Sequence, residues 1–300
     1  MKKIFKVDEN YISSRLDRWF KRIVCNVPQS LIEKNIRKGN IKVNFKKVKS
    51  SYKLQNSDEI IIKNFNFIHK KTHYIKKAYL PTQSDIKSAS KFFIENNENF
   101  VVINKPSGIA VQSGTKSKKN ILDILSKSNE FENCTPFPVH RIDKETTGLL
   151  IVAKNRKYAQ LFTSLFRIRK IHKTYLAITY GTVKQDINLL QDNLTTYEKN
   201  KKVIQKAISH LKILKSNDEY SFLELKPITG RKHQLRKQLY NIGHPIVGDD
   251  KYSFSGAGKK LKVKNIMLHA YKIKFMINNI KYNFEAKYGE EFEQLIKRKF

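Results

Sequence analysis

Fifteen consecutive residues limit this chain more than any others: His140-Arg141-Ile142-Asp143-Lys144-Glu145-Thr146-Thr147-Gly148-Leu149-Leu150-Ile151-Val152-Ala153-Lys154. The unbroken apolar run Leu149 to Ala153 predicts a strand buried on both faces, because a half-exposed strand would alternate with polar residues. Asp143 then lies on a turn at the mouth of a core element, where one acid is held rigidly and still meets a ligand. Arg141 stands two residues before it, and Glu145 is the one other acid nearby. No metal-ligand spacing accompanies the aspartate. The pattern points to chemistry in which a single carboxylate acts beside cations.

Charge narrows the partner. Across 300 residues, 60 Lys and Arg face 26 Asp and Glu, a formal net charge of +34. Such an excess implies a polyanion, most simply nucleic acid. Lys, Asn and Ile are also abundant, as in proteomes from AT-rich genomes, and that drift raises Lys everywhere. Cys25 and Cys134 make neither a zinc site nor a disulfide framework, which fits a reducing cytoplasm. Lys2-Lys3 is not followed by an apolar signal core, and no apolar stretch approaches the ~18 residues of a membrane span. A cytoplasmic protein without membrane contact is expected.

The periodicity predicts two domains. In residues 1–66, Leu16, Trp19, Phe20 and Ile23 fall at helical spacing, Leu31 to Lys38 forms a second helix stopped by Gly39, and strands follow at Ile41 to Asn44 and Glu59 to Ile62. The unit carries 16 Lys and Arg against 6 Asp and Glu. Lys34, Arg37 and Lys38 fall on or beside the second helix, either as a phosphate-gripping face or as an ordinary solvated one. Residues 67–88 lack periodicity and read as a linker.

From 89 to 300 short strands alternate with helices. Strands are expected at Phe100 to Ile103, Leu149 to Ala153, Lys173 to Tyr180, Ala207 to Leu214, Tyr220 to Leu225, Ile266 to Met276 and Ile280 to Phe284, and helices at Ile121 to Ser126, Tyr158 to Phe166 and Gly230 to Leu239. The fold class is α+β, built on a largely antiparallel mixed sheet.

Two further clusters bear chemistry. Alternation places Lys173, Tyr175 and Ala177 on one strand face. Tyr175 there is a platform for a flipped base with a hydroxyl that can carry a proton, or a core tyrosine, one of 14 in the chain. Gly230 is expected to open a helix whose free N–H groups and Arg231 suit a phosphate, with Arg236 further along and able to face an acid. His233 and His244 lack a carboxylate or cysteine to complete a metal site, and no serine in a G-x-S-x-G setting supports a hydrolase triad with His140, His233 and Asp143.

At this point the motifs carry a resemblance. H-R-I-D-K-E-T-T-G-L-L-I-V-A-K resembles the catalytic loop of the RluA/RluC/RluD family of pseudouridine synthases. N-K-P-S-G-I-A-V, K-T-Y-L-A, and T-G-R-K-H-Q-L-R with G-H-P-I-V-G-D are similar to that family's other motifs, in its order, across residues 100–250. R-L-D, R-K-G-N-I-K-V-N and L-x-x-x-D-E-I in the first unit resemble an S4-like RNA-binding domain, and the wording there is nearest the RluC branch. Ile142, Thr147 and Gln112 stand where leucine, serine and histidine are commoner.

The resemblance implies isomerisation of uridine to pseudouridine in 23S ribosomal RNA or a large-subunit assembly intermediate, by a monomer with no cofactor and no metal. Asp143 would attack the ribose C1′ or the uracil C6, or act as a base toward a glycal. Tyr175 would stack under the uracil and help remove its C5 proton, and Arg236 would pair with Asp143. Arg141 would fill the gap left by the flipped nucleotide, and Leu235 would pack near the base. Two other readings stay open: a non-catalytic RNA-binding or assembly factor, and the same chemistry on another rRNA helix or on tRNA.

Overall fold

A computed structural model describes residues 2–25, 27–63, 79–114, 119–198, 201–254, 261 and 263–300. The chain divides into two compact units, Met1–Ile75 and Lys76–Phe300.

The first unit contains β1 (Lys2–Lys6), α1 (Leu16–Trp19), α2 (Gln29–Arg37), β2 (Ile41–Val43) and β3 (Glu59–Lys63). Its antiparallel sheet has the order β1-β3-β2. Leu16, Trp19 and Phe20 pack with Ile32 and Ile36 of α2 and with Ile41, Val43, Ile60 and Ile62 of the sheet. The expected first helix is shorter than its apolar spacing suggests. After Trp19 the chain widens into a π turn over Phe20–Val24, which breaks the 3.6-residue repeat and leaves Ile23 40% exposed. β1 escaped the sequence reading because its lysines hide the strand pattern; such charges are usual on a sheet edge. Asp17 of the R-L-D motif is buried and accepts from Arg15 and from Gln29 Nε2 at 2.8 Å, tying α1 to the start of α2.

The second unit opens with α3 (Gln83–Ala89), β4 (Phe93–Asn96), β5 (Phe100–Lys105) and α4 (Ile121–Leu125). Next come β6 (Phe137–Pro138), β7 (Thr147–Ala153), α5 (Arg156–Arg167), β8 (His172–Tyr180), β9 (Leu189–Glu198) and β10 (Lys201–Ser216). It closes with β11 (Tyr220–Pro227), α6 (Gln234–Asn241), β12 (Leu268–Ile277), β13 (Ile280–Glu285) and α7 (Glu290–Lys299). One sheet runs β4-β5-β7-β12-β8-β11-β10-β9, with β13 on β12 and β6 on β7. β7 and β12 run parallel and the other pairs are antiparallel, so the sheet is mixed and the architecture α+β, as expected.

The parallel junction is narrow. Gly148 opposes Ala270 at φ +106°, and a Cβ on it would sit 2.3 Å from the Ala270 carbonyl oxygen. Only glycine fits so close a backbone approach. The junction sets one row across five strands: Lys105, Gly148, Ala270, Tyr175 and Leu225 are successive partners. The Asp143 loop leads directly into this row. On one side of the sheet α5 buries Phe162 against Phe100, Ile151 and Phe275, with Leu161, Leu165 and Phe166 beside it.

Some expectations need correction. The last part of the 67–88 stretch is ordered: Thr82 and Asp85 form a reciprocal capping box at the start of α3, and Asp85 also takes Tyr79 and Lys119. Residues 67–78 lie outside the described residues. α6 begins at Gln234, not Gly230, because His233 is left-handed at φ +52° and cannot continue a helix backwards. β10 is far longer than Ala207 to Leu214, and β9 and α7 were not foreseen.

Candidate active site

Asp143 stands at the wall of a cavity of about 540 Å³ that also exposes Tyr175, Lys173, His233, Leu235 and Arg236. That volume lies in the range of small-ligand sites. A second cavity, about 490 Å³, shares Arg141, Ile142, Asp143, His233 and Arg236. The Asp143 side chain is 21% exposed, so it faces the cavity rather than bulk water.

Three anchors hold the Asp143 loop. Lys105, buried at the end of β5, donates to the carbonyls of Pro106 at 2.7 Å, Ile109 at 3.0 Å and Lys144 at 3.0 Å. Those bonds occupy all three ammonium N–H groups and clamp the residue next to Asp143. Burial pulls the Lys105 pKa down to about 7, opposed by the charges of Glu145 and Asp143. At the front of the loop, His140 Nε2 accepts the Ile151 amide at 2.8 Å, and its ring lies 4.6 Å from that of Phe166. Burial, with the charge of Lys173, pushes the His140 pKa down to about 3, so it is a neutral structural histidine. Behind the loop the Thr147 hydroxyl meets His269 Nδ1 at 2.8 Å.

Arg236 is presented by α6, whose opposite side is pinned by buried amides one turn apart. Gln234 accepts from the Thr229 hydroxyl and the Arg231 amide and donates to the Ile208 carbonyl on β10, while Gln238 accepts from Ser209. Arg236 Nη1 lies 3.6 Å from Asp143 Oδ2 and 3.4 Å from Glu145 Oε2. Its tight partner is Asp249: Nε to Oδ2 and Nη2 to Oδ1, both 2.7 Å. The expected Asp143–Arg236 pair is therefore present but loose, since 3.6 Å is longer than a hydrogen bond. Burial alone would lower the guanidinium pKa; the bonds and charge of Asp249, with Asp143 and Glu145, outweigh it and raise it further.

The other oxygen of Asp143 faces His233 Nε2 at 3.8 Å. His233 Nδ1 is 3.0 Å from the Tyr252 hydroxyl, and the Tyr252 ring lies 5.3 Å beneath the Arg236 guanidinium. Burial lowers the His233 pKa, against the pull of Asp143. His244 meets the Tyr180 carbonyl instead, so the two histidines do not share a ligand site. Tyr175, packed among apolar neighbours on β8, has its phenol pKa pushed above the ordinary 10, first by burial and then by the charge of Asp143. At neutral pH its hydroxyl keeps its proton.

The remaining expected residues divide. Leu235 is buried at the cavity wall, and Arg141 is exposed where the two cavities meet. Arg231 lines the cavity too, but not at a helix N-terminus, and its Nε donates to the Lys206 carbonyl. Lys34, Arg37 and Lys38 are exposed in the first unit, on α2 and at its end, away from the buried Ile32 and Ile36. The sequence reading gave no role to Lys105, Gln234 or Asp249. All three lie inside the motifs, and the signal that could have found them is a polar residue embedded in an apolar setting, which must be paired if buried. Among the described residues no cluster of three His, Cys, Asp or Glu is placed to hold a metal, and no helix is long and apolar enough to cross a membrane.

Comparison with known proteins places this geometry. Residues 99–241 match the family profile described as RNA pseudouridylate synthase. A ribosomal large subunit pseudouridine synthase C from Rickettsia bellii is 35% identical over 306 residues, spanning 95% of this chain and 97% of the relative. One from Rickettsia felis is 37% identical over 258 residues, spanning 80% and 82%. Among solved structures, human RNA pseudouridylate synthase domain containing 4 matches with a TM-score of 0.60 at 27% identity, covering 71% of this chain and 94% of that one. With identity of that order along nearly its whole length, the chain belongs to the RNA pseudouridylate synthase family, and within it to the RluC type.

Proposed function

We propose that this protein isomerises specific uridines to pseudouridine in 23S ribosomal RNA, in the cytoplasm, with Asp143 as its essential carboxylate. The observation that carries the site assignment is that one cavity gathers Asp143, Arg236 and Tyr175, with Asp143 near the guanidinium but not locked to it. The large-subunit substrate is supported by the names of the Rickettsia relatives.

The reaction breaks the N1–C1′ bond, turns the uracil in place, forms C5–C1′, and moves one proton from C5 to N1. Nothing is gained or lost overall, so a carboxylate, a counter-charge and a closed site suffice. Attack by Asp143 on C1′, attack on C6, and a glycal route all use the same oxygen and differ in which bond it makes. Arg236 offsets charge at Asp143 as it forms or leaves a bond. Tyr175 supplies a flat surface for the ring, and with its pKa raised its hydroxyl accepts the C5 proton only by passing its own onward. Leu235 and Arg141 border the base and the gap it leaves in the stack.

In the first unit, the β1-β3-β2 sheet with α1 and α2 supports an S4-like RNA anchor, with Lys34, Arg37 and Lys38 as its phosphate contacts. Carbodiimide–alkali mapping of 23S rRNA from cells lacking the protein tests the whole reading. Specific stops should vanish, return with the wild-type gene, and stay absent with Asp143→Asn. An unchanged map, or rescue by Asp143→Asn, overturns it.

A further inference from the structure

Between α5 and β8 the chain turns through Arg167-Ile168-Arg169-Lys170, all four exposed. The turn is held as a helix C-cap: the Ile168, Arg169 and Lys170 amides donate to the carbonyls of Ser164 at 3.0 Å, Phe166 at 3.2 Å and Leu165 at 2.9 Å. Arg169 occupies the left-handed position of this cap, at φ +60°. Glycine is the usual residue there, because a Cβ crowds the following carbonyl oxygen in that region. The chain keeps an arginine where a glycine would serve the backbone better.

The surroundings show what the side chains face. Among the described residues Arg167, Arg169 and Lys170 have no anionic partner. Ile168 projects beside them, 57% exposed. Arg167 and Arg169 line the cavity that holds Asp143 and Tyr175. Cations at a helix C-terminus complement its dipole, which accounts for some of the charge. It accounts neither for an arginine at the strained position nor for a bare isoleucine next to it. An acidic protein segment would meet the same cations, but their place at the mouth of a nucleotide-sized cavity favours a polynucleotide strand.

We infer that the α5–β8 turn is an RNA-gripping rim: Arg167, Arg169 and Lys170 hold phosphates beside the extruded uridine, and Ile168 packs on the outer face of a flanking base, the vacated gap itself being left to Arg141. Extrusion costs unstacking free energy, and an apolar contact beside cations recovers part of it. The inference rests on the uridine-isomerase reading and adds to it the element that receives the flanking strand.

The test uses the full-length protein and a 23S rRNA transcript, with affinity measured against salt and turnover measured in parallel. Arg169→Gly removes the cation while relieving the backbone, so loss of folding cannot mimic loss of grip. Its Tm should equal or exceed that of the wild type. Its affinity at about 0.1 M salt should fall roughly eight-fold, the slope of log K against log salt should flatten by about 0.7–0.9, and the loss should appear in KM. Arg169→Lys should recover most of the affinity. Ile168→Ser should weaken binding without changing the slope. Wild-type affinity and slope in Arg169→Gly would reduce the turn to a helix cap and overturn the inference, while uridine isomerisation by the wild type still stood. Failure of the wild type to isomerise any uridine would instead remove the functional reading on which the rim depends.

Discussion

Replacing Asp249 with asparagine separates the group that holds Arg236 from the group that uses it. The Asp249 side chain is fully enclosed and that of Arg236 is 5% exposed. Two 2.7 Å bonds join them, and Asp249 Oδ1 also accepts the amides of Lys251 at 2.9 Å and Tyr252 at 3.0 Å. Asparagine keeps the volume but has one acceptor oxygen. Whichever way its amide is turned, one guanidinium N–H faces an NH₂ group, and the nearest counter-charge is gone. Removing one member of a buried pair costs about 3–5 kcal/mol. Glu145 and Asp143, 3.4 Å and 3.6 Å from Nη1, still offset the guanidinium, which places the loss near the lower end, about 3 kcal/mol. For a cooperative unit of this size, each kcal/mol shifts Tm by about 2–4 °C, so thermal unfolding should move down by roughly 6–12 °C. The freed guanidinium should also close on Asp143, so turnover measured well below both transitions should fall while the protein is still folded. A Tm within about 2 °C of wild type, or full turnover, would refute the claim that Asp249 holds Arg236.

Four other outcomes are expected. Asp143→Asn should lower isomerisation at least ~10³-fold while leaving RNA affinity intact, checked by single-turnover kinetics beside filter binding; retained activity would remove the aspartate from the mechanism. Gly148→Ala should cost more than about 4 kcal/mol or abolish folding, since its Cβ would fall 2.3 Å from a carbonyl oxygen, and circular dichroism would detect it. The folded-state pKa of His140, about 3, lies below its ordinary 6.5, so the unfolded chain binds the extra proton first and stability falls as pH drops from 6.5 toward 3. At about pH 5 that loss is at most ~2 kcal/mol, and His140→Gln should flatten this limb of a urea-unfolding series. Deleting residues 2–63 should weaken rRNA capture while leaving a cooperative transition for the second unit; loss of that transition would deny the second unit independent folding.

Strands whose residues are buried on both faces were plain in the sequence, because burial there leaves an unbroken apolar run. β5 and β7 are such cases; β12 and β13 were legible as a pair although the second half of β12 alternates buried with exposed residues and β13 is exposed or half-buried throughout. β1 and β9 were not, since lysines or polar residues at the edge of a sheet leave no period to read. α7 was missed although Phe292 and Leu295 lie three apart and its acidic start and basic end suit the helix dipole. The start of α3 was missed as well, inside the stretch read as a linker, although Thr82 followed three residues later by Asp85 marks it. Asp143, Tyr175 and Arg236 were legible as residues, and the cavity does gather them. What joins them was not. The bonds of Lys105 to three carbonyls, and of Arg236 to Asp249 13 residues on, depend on loops brought together by strands distant in the chain.

The division of labour around Arg236 follows from geometry. A carboxylate in a two-point bond with arginine has both oxygens committed, and a bond to carbon would require breaking that pair in a poorly solvated site. Here the two-point bond belongs to Asp249, which lies outside the main cavity lining, and Asp143 takes only the field of the third nitrogen at 3.6 Å. Its other oxygen is 3.8 Å from His233, again too far for a hydrogen bond. The guanidinium therefore faces Asp143, with the His233 ring on its other side, without tying up its lone pairs. Clamping comes instead from behind, through Lys105 at the adjacent carbonyl of Lys144, so the loop is fixed while the carboxylate stays available. Exchanging those two roles, with Asp143 bonded tightly and Asp249 loosely, would keep every charge and remove the oxygen that the proposed reaction uses.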